Sequence, residues 1–201
     1  MKKISVLDRT LLLITGLLAA YQIVAGCNGL GTLAVTSYTI SFGVLLVAGL
    51  LIIIMGFEIL DSPLVVIVST GIPLSLSLGL VVQYLPGYTT PYLIFVVVGF
   101  LAIVITRYAI SGKAATIVLA VIHGVAGMVI FLLPIILSVN GTVSGGFALV
   151  GVGGALIGVG GLLLAFLKAG KPILPQKTIL TVLPGLLLLM TAAFVAGFAL
   201  A

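Results

Sequence analysis

The stretch AATIVLAVIHGVAGMVIFLLPIILSVNGTVSGGFALVGVGGALIGVGGLLLAFL, residues 114–167, decides the fold. Two apolar arms, 114–138 and 145–167, flank Val139-Asn140-Gly141-Thr142, and neither arm contains Lys, Arg, Asp or Glu. An α-helix needs about 18–20 such residues to cross roughly 30 Å of hydrocarbon. No water reaches the backbone there, so every N–H and C=O must pair within its own segment, which selects helix. The Asn-Gly pair supplies the turn. The stretch reads as a membrane-spanning helical hairpin.

Working outward, the chain repeats this pattern. Further apolar runs occupy 10–26, 36–60, 63–84, 91–109 and 178–201, charged only near the ends at Glu58 and Arg107, giving seven spans in 201 residues and no room for a soluble domain. Composition agrees: 63% of residues are hydrophobic and 5% charged, and mean hydropathy is +1.55, whereas soluble domains are about a quarter charged. A β-barrel would need short segments alternating polar and apolar, and none is present. The sequence predicts one all-α integral membrane domain, a polytopic seven-helix bundle.

The charges set its threading. Loop two carries Glu58 and Asp61, loop four Arg107 and Lys113, loop six Lys168, Lys171 and Lys177, and the N-terminus Lys2, Lys3, Asp8 and Arg9. Loops one, three and five carry none. All eight Lys and Arg thus fall on one side, and the positive-inside rule predicts a cytoplasmic N-terminus and an outer C-terminus in the plasma membrane. Tyr21, Tyr38, Tyr84, Tyr88 and Tyr92 fall near the outer interface. The net charge of +5 is accounted for by cations beside anionic headgroups, so the expected partner is the lipid bilayer and not nucleic acid.

The first run ends in Val24-Ala25-Gly26-Cys27, after a basic start. This pattern is shared by a retained first helix and by a bacterial lipoprotein signal whose cysteine is lipidated. The polar Tyr21 and Gln22 favour the retained helix. A single cysteine permits no internal disulfide and no cysteine-based metal cluster.

Small residues seven apart recur on the even-numbered spans (Gly49 and Gly56, Gly99 and Thr106, Gly154 and Gly161), suggesting three helical hairpins plus a seventh helix. The segment His123-Gly-Val-Ala-Gly-Met-Val-Ile-Phe-Leu-Leu-Pro134, the Asn-Gly turn and Gly153-Gly-Ala-Leu-Ile-Gly-Val-Gly-Gly161 resemble the short-repeat membrane family typified by the acid-resistance protein HdeD. The resemblance covers residues 42–167 loosely. The seventh helix and the lack of Trp depart from it. It implies a stress-linked inner-membrane protein built of hairpins, and it carries over no catalytic residue.

Few side chains can carry chemistry. His123, ten residues beyond Lys113, lies about 15 Å in at 1.5 Å rise per residue, near the middle of the bilayer. An ionisable group at that depth is costly and points to proton relay or substrate contact, or else to one interhelical hydrogen bond. Glu58 and Asp61 could bind a cation, or pair with Arg107 or Lys113. In the third span Pro73 lacks an N–H and predicts a break near Ser69. The freed carbonyls, with Ser69, Thr70, Ser75 and Ser77, could line a transport site. The same span holds Gly71, Ser75 and Gly79, and the sixth holds Gly154 and Gly158, small residues spaced for close helix packing. No metal, cofactor or catalytic motif is present, and with one His a bis-histidine haem is excluded. The sequence favours a non-enzymatic accessory or stress-related membrane component, alone, as a homo-oligomer or beside other subunits. The alternative is a small transporter or channel using His123 and a broken third helix.

Overall fold

A computed structural model describes residues 2–26, 29–109, 113–168 and 172–201. Among them there is no strand, and seven helices are each long and apolar enough to cross a membrane. The chain is a multi-pass, all-helical membrane bundle.

Helix α1, Val6–Ala25, starts earlier than the apolar run because Ser5 and Asp8 form a capping box, each side chain bonding the other's backbone N–H. Helix α2, Thr32–Met55, starts earlier and ends earlier than the expected 36–60. Gly56, at φ 78°, stops it, and Phe57–Asp61 forms a separate 3-10 turn. A left-handed φ strains any residue with a Cβ, so the apolar pattern runs past the true end. Helix α3 is Pro63–Tyr84, and a short 3-10 turn leads into α4, Thr89–Ala109. Helix α5, Lys113–Val139, closes with Gly141 at φ 69°. There the Thr142 N–H bonds the Leu137 carbonyl at 2.9 Å and the Gly141 N–H bonds that of Ser138 at 3.2 Å, a Schellman ending. Helices α6, Ala148–Lys168, and α7, Gln176–Ala199, complete the chain.

The order of packing is not the order of the chain. Helices α1, α2, α3, α5, α6 and α7 touch in that sequence, and α7 closes back on α1. Helix α4 lies outside this ring against α3 and α5. Helix α2 packs on α3 as it does on α1, so contact is continuous around the ring.

The interior is filled by Tyr38, Phe42 and Leu45 from α2, Leu76 and Leu80 from α3, Ile130 from α5, Val150 from α6, and Met190 and Phe194 from α7. Aromatic rings knit one end: Tyr38 meets Phe198 edge-on at 4.8 Å, and Phe147 meets Tyr84 at 5.2 Å and Phe198 at 5.9 Å. Two of the tyrosines expected at the outer interface are thus turned inward. The Tyr38 hydroxyl donates to Gln83 Oε1 at 2.7 Å, and Gln83 Nε2 donates to the Tyr84 hydroxyl at 2.9 Å. Lipid tails are as apolar as Leu, so such contacts hold helices together by dispersion and hydrogen bonding, not by exclusion of water.

Candidate functional site

His123 sits half-buried on α5, with Nδ1 3.1 Å from the Leu119 carbonyl one turn back. A carbonyl only accepts, so Nδ1 carries a proton here. Nε2 has no hydrogen-bond partner among the described residues. Arg107 lies near the end of α4, the helix that packs on α5 outside the ring. The Arg107 Nε is itself buried without a partner.

The hydroxyls of α3 do not converge on His123. Thr70 donates to the Val66 carbonyl at 2.8 Å and Ser69 to the same oxygen at 3.2 Å. Ser75 donates to Gly71, and Ser77 to Pro73 at 2.7 Å. Each hydroxyl is engaged by its own helix. The predicted break at Pro73 does not interrupt α3, which runs unbroken from Pro63 to Tyr84. Pro73 removes a single bond, the one to the Ser69 carbonyl, and the next turn is reinforced by hydroxyls of Ser75, Ser41 of α2 and Ser77 donating to the carbonyls of Gly71, Ile72 and Pro73. Tyr92 of α4 directs its hydroxyl toward Ser77, but no bond of ordinary length and angle forms, and the Tyr92 oxygen is buried without a partner.

Glu58 and Asp61 lie on the exposed side of the 3-10 turn after α2, and no ion pair joins either to Arg107 among the described residues. The ion pair that does form is Lys2 with Asp8, at 2.7 Å, with Asp8 buried. Lys2 also lies 5.2 Å above the Phe57 ring and reaches the Leu180 carbonyl of α7 at 3.5 Å. This cluster ties the start of α1, the turn after α2 and the start of α7. The Ser5-x-x-Asp8 spacing is its sequence signal; the apolar-run criterion passes over it.

The glycines differ from one another. A Cβ on Gly154 would lie 2.9 Å from the Phe131 backbone nitrogen of α5, and one on Gly79 would lie 2.7 Å from Tyr38 Cδ1. At Gly71 the neighbour, Val44 Cγ2, is 3.4 Å away, and at Gly158 nothing lies within 4 Å. Cys27 lies outside the described residues.

A cavity of about 10 Å³ lies beside Gln22, Tyr38 and Thr39, room for a single water at most. Among the described residues no three His, Cys, Asp or Glu side chains gather as metal ligands do. Compared with protein-family models, curated proteins and solved structures, the chain matches none. Fold and geometry define its class: a seven-helix membrane protein whose polar side chains are mostly engaged within their own helices.

Proposed function

We infer that the chain is a non-enzymatic, accessory or structural component of a membrane assembly, acting through the surfaces it presents to other membrane helices. One observation carries this reading. Only 17% of each of the α4 and α5 spans is buried within the chain, against 67% for α3. The exposed side of α5 alternates bulky residues (Ile117, Val121, Val125, Met128) with Ala120 and Gly124, where a partner helix can approach closely. Its orientation in this reading is N-terminus cytoplasmic, in the plasma membrane, as the charge asymmetry predicts. A role in stress tolerance rests on the family resemblance of residues 42–167 alone.

The test is native mass spectrometry of the full-length protein, extracted gently from its own membrane. Other polypeptides, or a second copy, are expected on the intact chain, and Gly124→Leu should release them while leaving the helix content unchanged. An intact chain that is always alone would overturn the proposal. The transport reading keeps one supporting feature, the free Nε2 of His123. It requires His123→Ala to abolish proton or solute flux in proteoliposomes.

A further inference from the structure

Helix α7 carries a Pro184-Gly185 pair inside its length, about two turns after its start. Proline has no N–H, so the carbonyl four residues back, that of Leu180, loses its helical donor. The Lys2 ammonium, ahead of α1, reaches this same oxygen at 3.5 Å while holding the two Asp8 carboxylate oxygens at 2.8 and 2.7 Å. Gly185 adds no side chain to stiffen the bend, and nothing lies within 4 Å of where its Cβ would be. Glycine is a poor helix former and proline the commonest site of a kink.

The two parts of α7 are held differently. Beyond the pair, Phe194 and Phe198 pack edge-on against Phe42 and Tyr38 of α2. Ahead of it, Leu180 and Leu183 share a small cluster with Leu12 of α1, Ile52 of α2 and Phe57, and Lys2 lies over that Phe57 ring. The contact of α7 with α1 also lacks a covalent tie. Other neighbours in the ring are joined directly in the chain or, for α3 and α5, through α4. We propose that Lys2 is a latch, which caps the carbonyl freed by Pro184 and holds the first turns of α7 against α1 and Phe57. Removing its charge lets this arm swing about Pro184-Gly185 and opens the α1–α7 seam at one end, while the aromatic rings keep the other end closed. The proposal is independent of the accessory role.

The test places pairs of nitroxide labels on the full-length protein in nanodiscs, in a Cys27→Ser background, and reads their separation by pulsed electron paramagnetic resonance. One label stays at Ile54→Cys near the end of α2. The other is placed ahead of the hinge at Thr178→Cys or beyond it at Leu189→Cys, all three being exposed positions. The arm from Gln176 to Pro184 is about 12 Å long at 1.5 Å per residue, so a further bend of about 20° moves its tip by about 4 Å. Lys2→Met should lengthen the separation to Thr178→Cys by a similar amount and leave that to Leu189→Cys unchanged. Adding Pro184→Ala, which returns an N–H to the Leu180 carbonyl, should restore the parent separation. Lys3→Met, which removes the neighbouring exposed charge, should not alter it. No lengthening in Lys2→Met would overturn the proposal. So would lengthening to both labels, which reports a loosened bundle, or a separation that Pro184→Ala does not restore.

Discussion

Replacing Asp8 by Asn keeps the shape of the side chain and removes its charge. The Lys2 ammonium, 15% exposed, would then remain at that end of the bundle facing Phe57 and one carbonyl, and an uncompensated, partly buried charge is costly. The amide also accepts less strongly from the Ser5 N–H, weakening the cap on α1. Together these changes should cost about 2 kcal/mol, visible as a lower thermal unfolding temperature in detergent. Lys2→Met should cost a similar amount, because the cap survives but the Asp8 carboxylate, 4% exposed, loses its countercharge. The pair is little exposed, so added salt should barely alter the difference between parent and variants. His123 offers a contrast at the same scale. Its place inside α5, ten residues beyond Lys113, was legible from the apolar run that surrounds it. Its partner was not, since a hydrogen bond to a carbonyl of its own helix leaves no mark in the sequence.

At the scale of single helices, Gly154 and Gly158 look equivalent in sequence. They lie four apart in one span, with the spacing of a packing motif. The structure separates them, because two crossed helices touch closely over only a turn or two. Gly154 lies where α6 meets the backbone of α5, and Gly158 lies beyond that point in open space. Gly154→Leu should therefore destabilise the isolated chain by about 3 kcal/mol or more, since a backbone cannot move aside as a side chain can. Gly158→Leu should leave its unfolding temperature within about a degree of the parent, a surface change worth less than ~0.5 kcal/mol. Equal destabilisation by both would mean that α6 packs against another surface. Other features of the elements were readable to different degrees. Existence and number followed from length and lack of charge. Ends did not, because α1 is extended by a polar cap and α2 is stopped by Gly56 inside an apolar run. Pro73 was read as a break because proline removes a hydrogen bond. One lost bond, to the Ser69 carbonyl, does not end a helix whose neighbouring turns keep theirs.

For the whole molecule, the ring of six helices with α4 outside could not have been read from the sequence. Hydropathy and turn residues say which segments cross and in what order, but non-adjacent neighbours such as α1 and α7 depend on how side chains interlock. The orientation is different, for it follows from charges counted along the chain. An odd number of spans puts the two ends on opposite sides, and all eight cations fall on the side of the N-terminus. Moving that side outward would carry every Lys and Arg across the membrane against a potential of about 2.3 kcal/mol per charge per 100 mV. In a Cys27→Ser background, Thr142→Cys should react with a membrane-impermeant maleimide in intact cells, and Gln176→Cys only after the cells are opened. Both positions are exposed in the fold, so failure to react reports the side of the membrane and not burial. Labelling of Gln176→Cys alone in intact cells would invert the topology.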